Sequence, residues 1–85
     1  MSRNKKLIAD IRNNPKDVRY EDALRAAELI GFTSTGGAGS HCTRSRSGEP
    51  VQLNFQRIAN GRAKPYQVKQ LIEMLDKYEH EIDGN

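Results

Sequence analysis

The spacing of hydrophobic residues changes twice along this 85-residue chain, and that change most constrains the fold. Over residues 20–30 the apolar residues recur at i, i+3 and i+4, as on one face of a helix. Val51, Leu53 and Phe55 then alternate with polar residues, as in a half-buried strand. Helical spacing returns over residues 68–78. The sequence therefore predicts an α+β protein.

Short signals mark the ends of three predicted helices. The first covers residues 4–14 and stops before Pro15, because a proline disfavours helix in the residue before it. The second, from residue 20, ends at Gly31, a residue type common just after helix ends. The third begins at Pro65, whose ring favours the first helical position.

Three strands are predicted between the second and third helices, at residues 32–35, 41–46 and 51–55. The element order is then α-α-β-β-β-α. The simplest arrangement is an antiparallel three-stranded meander with helices covering one face of the sheet, in a single domain of residues 1–85.

Positive charge is concentrated in the middle of the chain. Net charge is +3, but residues 31–72 carry six Lys or Arg and one acidic residue, whereas residues 73–85 carry one Lys and five acidic residues. The middle region is the candidate anion-binding region, and the tail repels polyanions. A solvated basic face without a ligand fits the charges equally well.

The composition also indicates where the protein works. A single cysteine cannot form an internal disulfide, and Asp10 interrupts the apolar run that a signal peptide would need. No apolar segment approaches the length of a membrane span. We expect a cytoplasmic protein without membrane association. His41, Cys42 and His80 do not have zinc-site spacing, so we expect no metal.

The stretch GGAGSHCTR, residues 36–44, places a histidine directly after a glycine-rich segment. This histidine, His41, has two interpretations. It is either an exposed loop residue or a proton-transfer group, since histidine titrates near neutral pH. Cys42 is expected to be a small core residue, and His80 to be solvent-exposed.

Four local stretches together are similar to one known family. They are LIGF at 29–32, GSH at 39–41, VQLNF at 51–55 and AKPYQVKQLIEML at 63–75. In this element order they resemble the HicA family of bacterial toxins, whose fold is the double-stranded-RNA-binding-like α-β-β-β-α. The resemblance implies a HicA-like core at residues 18–78, an N-terminal helical extension at 4–14 and an acidic tail at 79–85.

Members of that family are ribonucleases that cleave messenger RNA and are silenced by a HicB-type antitoxin. The resemblance implies that His41 is the catalytic residue, that the partners are RNA and a HicB-like antitoxin, and that no cofactor is needed. Two positions depart from the family pattern. Ala38 stands where a basic residue often precedes the glycine, and Cys42 stands where a non-cysteine residue often follows the histidine.

Cleavage of RNA can proceed without a metal, because the 2′-hydroxyl is the nucleophile. His41 would take its proton, and Lys64, Tyr66 or a water would protonate the leaving 5′-oxygen. Glycine amides and basic side chains would hold the phosphates, and Tyr66 would either stack on a base or pack against the sheet. The expected phosphate- and RNA-binding residues are Gly39, Ser40, Arg44, Arg46, Lys64, Tyr66 and Lys69.

Three functions therefore stand side by side. The first is an endoribonuclease toxin acting on single-stranded stretches of messenger RNA. The second is a non-catalytic RNA-binding module with the same basic surface, for which His41 would have no purpose. The third is a protein-interaction domain whose basic face binds an acidic antitoxin-like partner.

Overall fold

The computed structural model describes residues 3–34 and 41–82, with the backbone alone at His41 and Cys42. Within these residues the chain forms three α-helices and four antiparallel β-strands, which confirms the predicted α+β class. In chain order they are α1 (Arg3–Asn13), α2 (Tyr20–Leu29), β1 (Thr33–Ser34), β2 (His41–Ser45), β3 (Leu53–Ile58), β4 (Arg62–Ala63) and α3 (Pro65–Tyr78).

The sheet has the strand order β1-β2-β3-β4, so each strand pairs with its neighbours in sequence. Thr33 of β1 lies opposite Ser45, and Cys42 lies opposite Phe55 of β3. The prediction of three strands was wrong, because the described residues form a fourth. The sequence hides β4 because two residues are too short to show alternation, and only pairing with β3 defines them.

The strands also differ in extent from the prediction. β3 begins at Leu53, two residues later than predicted, and continues to Ile58. A short 3₁₀ turn at Ala59–Gly61 then reverses the chain into β4. The amide of Ala63 in β4 donates to the Val18 carbonyl at 2.9 Å. This bond connects the segment between α1 and α2 to the sheet.

Helices cover one face of the sheet. Leu53 and Phe55 are fully buried, whereas Asn54 between them is exposed. The buried side is formed by α2 and α3, and α1 adds Ile8 and Ile11 to the same hydrophobic cluster. Over the described residues, none of the helices has the length and apolar content needed to cross a bilayer.

Candidate nucleic-acid interface

His41 is the first residue of β2, and the register pairs it with Gln56 of β3. Directly opposed residues in an antiparallel ladder have Cα atoms about 4.5–5.5 Å apart. Gln56 is half-buried, whereas the neighbouring Phe55 is fully buried. Gly39 and Ser40, the predicted phosphate-binding residues before it, lie outside the described residues.

A buried glutamine brings the start of α3 to this position. The Gln67 side chain accepts a hydrogen bond from the Gln56 amide at 2.7 Å and donates to the Gln56 side chain at 3.3 Å. Gln67 is only 2% exposed, so these bonds satisfy a carboxamide that would otherwise be costly to bury. The first turn of α3 is therefore held against the β3 residue that faces position 41.

Tyr66 projects from that same first turn and is 60% exposed. Its hydroxyl accepts a weak hydrogen bond from Gln67 at 3.4 Å, and the Lys64 ammonium lies 6.0 Å from its ring centre. Of the two roles predicted for Tyr66, packing against the sheet does not fit this exposure. The ring is available for stacking.

Tyr66 and Lys69 line a groove between α3 and the α1–α2 connection, here called the Tyr66 groove. Its volume is about 440 Å³. The lining residues are Pro15, Lys16, Pro65, Tyr66, Lys69, Ile72 and Glu73. Lys64, Tyr66 and Lys69, which the sequence predicted as RNA-binding residues, thus lie together, and the fold adds Lys16.

Arg44 lies elsewhere on β2. At about 3.3 Å per strand residue it is about 10 Å from position 41. Its guanidinium donates to Glu28 of α2 at 2.8 Å, and its side chain is only 13% exposed. It faces the buried row, opposite Leu53.

Arg46 follows the end of β2 and binds the carboxyl-terminal ends of α2 and α3. It donates to the Ile30 carbonyl at 2.7 Å and to Glu81 at 2.6 Å, and it lies 3.9 Å from the centre of the Tyr78 ring. The hydrogen bond that Arg46 donates to Glu81 raises the pKa of Arg46, against the opposing effect of burial. A phosphate at Arg44 or Arg46 would compete with these carboxylates.

The other two arginines of the basic region also have acidic partners. Arg57 donates to Glu21 at 2.7 Å, and Arg62 donates to Asp17. The hydrogen bond that Glu21 receives from its own backbone amide lowers its pKa, and Arg57 lowers it further. Among the described residues of the basic region, the cations without an acidic partner are Lys64 and Lys69.

The amino-terminal amides of α3 add little to this surface. The amides of Gln67 and Val68 both donate to the Lys64 carbonyl, at 3.0 and 3.1 Å, and Pro65 has no amide hydrogen. Side chains, more than the helix end, therefore supply the positive potential. In the part of the chain that the structure describes, no group of His, Cys, Asp and Glu side chains is arranged to hold a metal ion.

Sequence reasoning missed Lys16, Gln56 and Gln67. The sequence could have indicated Gln67, because this residue lies on the apolar face of α3 with Leu71 and Met74. A polar residue on such a face needs a buried hydrogen-bond partner. Nothing in the sequence indicates Lys16, since only the fold brings this residue close to α3. His80 is exposed, as predicted.

The chain was compared with protein-family models, with curated proteins and with solved structures, and none of the three comparisons finds a match. The resemblance to HicA toxins thus rests on the local stretches quoted above.

Proposed function

We propose that this protein is a metal-independent endoribonuclease that cleaves messenger RNA, with His41 transferring protons and the surface of Lys64, Tyr66, Lys69 and Lys16 binding the RNA. It would act in the cytoplasm as a HicA-like toxin and be neutralised by a HicB-like antitoxin. Residues 18–78 would then be a double-stranded-RNA-binding-like core with an added fourth strand.

One observation supports this proposal above the others. The backbone of His41 pairs with Gln56 of β3, and Gln56 forms two hydrogen bonds with Gln67 in the first turn of α3. That turn carries Tyr66 and is preceded by Lys64. Cleavage of RNA needs a proton-transfer residue and positive charge near the phosphate, and an exposed aromatic ring can bind a base of the strand.

The reaction follows from the chemistry of RNA. His41 takes the proton of a ribose 2′-hydroxyl, and the 2′-oxygen forms a bond to the adjacent phosphorus. The bond from phosphorus to the 5′-oxygen breaks, and that oxygen receives a proton from Lys64, Tyr66 or a water. The products are a 2′,3′-cyclic phosphate and a 5′-hydroxyl. Lysine side chains near the phosphate would offset the charge that develops on its oxygens.

Replacement of His41 by alanine tests the proposal. General acid–base catalysis contributes about 10²- to 10⁴-fold, so we expect His41→Ala to lower the cleavage rate by at least about 100-fold while RNA binding stays close to that of the parent. Cleavage is measured on end-labelled RNA in the presence of EDTA, with the 2′,3′-cyclic phosphate identified on the products.

The matched control is His80→Ala, because His80 is the other histidine of the chain and lies exposed after α3. This variant should cleave at the parental rate. If His41→Ala cuts RNA as fast as His80→Ala, the assignment of His41 is wrong.

A non-catalytic RNA-binding module is the second candidate, and the Tyr66 groove favours it. The exposed Tyr66 ring with Lys16 and Lys69 beside it needs no proton transfer to bind RNA. This function predicts RNA binding by both parent and His41→Ala and no cleavage products from either. A protein-interaction domain would bind an acidic protein partner and no RNA.

A further inference from the structure

We propose that the Tyr66 groove is a subsite for a single unstacked nucleobase of single-stranded RNA, with Lys16 and Lys69 contacting the phosphates on either side of it. This inference rests on the proposed RNA-binding function and adds which form of RNA is selected and by which residues.

The size and the lining of the groove suit a nucleobase. Its volume of about 440 Å³ lies within the range of about 300–1,000 Å³ typical of small-ligand sites. Pro15 from the α1–α2 connection and Pro65 from α3 contribute apolar walls, and Ile72 continues the wall one helical turn beyond Lys69. Apolar walls with a few polar groups are typical of sites for small organic ligands, a class that includes nucleobases.

Tyr66 differs from the other two tyrosines. The Tyr20 ring lies under Arg57 at 4.9 Å and the Tyr78 ring under Arg46 at 3.9 Å, and both tyrosines are half-buried. Tyr66 is 60% exposed, and the Lys64 ammonium lies 6.0 Å from its ring centre. Its ring therefore keeps an accessible face toward solvent.

The charges at the groove match a nucleic-acid strand. Lys16 and Lys69 are exposed, and within the described residues neither has an ion pair. Glu73 is the one acidic residue among those that line the groove, against two lysines, so the lining has a net positive charge. Two lysines beside an aromatic ring fit a base with a phosphate on each side.

The same geometry selects against duplex RNA. A base inside a helix is stacked on both faces and cannot lie against a side-chain ring. A base in a single strand can leave its neighbours and stack on Tyr66. The structure therefore points to single-stranded segments as the bound form.

The first experiment measures affinity in a His41→Ala background, so that the RNA is not cut. The probes are a short fluorescein-labelled single-stranded RNA, the same RNA as a duplex, and a version with abasic sites. Loss of a stacking aromatic weakens binding by about tenfold or more. We therefore expect Tyr66→Ala to weaken binding of the single-stranded RNA to that extent and Tyr66→Phe to bind it as the parent does. The abasic strand should bind Tyr66→Ala and Tyr66→Phe equally poorly.

A second measurement reports stacking directly. The chain contains no tryptophan, so Tyr66→Trp introduces a unique fluorophore at the groove. Its emission should be quenched by the single-stranded RNA and remain unchanged with the abasic strand. Because Tyr66 is largely exposed, none of these variants removes a core side chain.

Lysine variants locate the phosphates. Lys16→Ala and Lys69→Ala should each lower the dependence of binding on salt, because fewer counterions are released. Lys6→Ala is the matched control, since Lys6 is an exposed lysine of α1 outside the groove. It should leave the salt dependence unchanged.

The outcomes separate this inference from the proposed nuclease. Equal RNA affinity of Tyr66→Ala and the parent overturns the base subsite, even if His41→Ala still abolishes cleavage. A tenfold loss in Tyr66→Ala together with no cleavage by the parent supports the subsite and overturns the nuclease. If Tyr66→Ala instead loses affinity for a polyglutamate peptide and keeps its RNA affinity, the groove belongs to a protein partner and the proposal is wrong.

Discussion

Gly31 adopts a backbone conformation that other residues rarely take. It follows α2 with φ of 89°, and its amide donates to the Glu28 carbonyl at 3.0 Å. A Cβ atom at this position would lie 2.7 Å from Nη1 of Arg46. The same Arg46 nitrogen donates to the Ile30 carbonyl, so a side chain at Gly31 would displace a bond that closes the end of the helix.

We predict that Gly31→Ala destabilises the protein more than Gly48→Ala does. Gly48 also has a positive φ, 84°, but nothing lies within 4 Å of its potential Cβ. Gly48→Ala should therefore cost only the strain of the left-handed conformation, about 1–2 kcal/mol. Gly31→Ala adds the displacement of Arg46. Urea unfolding of the two variants makes the comparison, and equal losses would show that Arg46 moves aside without consequence.

At the scale of elements, a buried carboxylate joins the β2–β3 turn to the last turn of α3. The Glu49 side chain is 1% exposed and accepts hydrogen bonds from Lys77 at 2.7 Å, from the Tyr78 hydroxyl and from the Val51 amide at 3.0 Å. The hydrogen bond from Lys77 is the largest cause of a Glu49 pKa lowered to about 2, followed by those from Tyr78 and Val51. Two elements thus depend on one negative charge.

We predict that this contact makes the protein sensitive to acid. Because the Glu49 pKa is lower in the folded protein than in the unfolded chain, its stabilisation is fully present above about pH 4.5 and is lost as the pH falls toward 2. Urea midpoints of the parent, measured from pH 7 to pH 3, should show this loss only below about pH 4.5.

Glu49→Gln is the control for that prediction. It should be less stable than the parent at pH 7. The neutral amide would accept hydrogen bonds from Lys77 and Tyr78 without the negative charge that strengthens them in the parent. Its urea midpoint should also change less with pH than the parental one. Parallel curves for the two proteins would assign the acid sensitivity to other carboxylates.

At the scale of the whole molecule, α1 is packed into the core. Ile8 and Ile11 are each 2% exposed and belong to the same hydrophobic cluster as Phe55 and Leu71. Arg12 at the end of α1 donates a hydrogen bond to Asp76 of α3, and this bond is the largest cause of the raised pKa of Arg12. α1 therefore contributes to the stability of the helices that carry the Tyr66 groove.

We predict that Ile11→Ala destabilises the protein by about 2–5 kcal/mol, the usual cost of such a truncation in a core. Native proteins are stable by only about 5–15 kcal/mol, so this loss would be a large part of the total. Asn13→Ala, an exposed change on the same helix, should stay within about 0.5 kcal/mol of the parent. Thermal or urea unfolding tests both, and equal stabilities would mean that α1 is dispensable.

Much of this architecture follows from local signals. α1 and α2 end two residues before Pro15 and Gly31, and α3 begins at Pro65, because the backbone preferences of proline and glycine act locally. The α+β class follows from hydrophobic spacing for the same reason. Lys64, Tyr66 and Lys69 could be named as RNA-binding candidates because they lie close together in sequence at a helix start.

The sequence by itself thus determined the helices, the strand β3 and the local basic–aromatic segment of Lys64, Tyr66 and Lys69, since each depends on residues a few positions apart. Only the tertiary structure decided which basic side chains, among the described residues, have an acidic partner. It pairs Arg44, Arg46, Arg57 and Arg62 with acidic residues distant in sequence. It also brings Lys16 into the groove that Tyr66 lines. Spacing along a chain cannot show such pairings, because an ion pair depends on the distance between side chains in the folded protein.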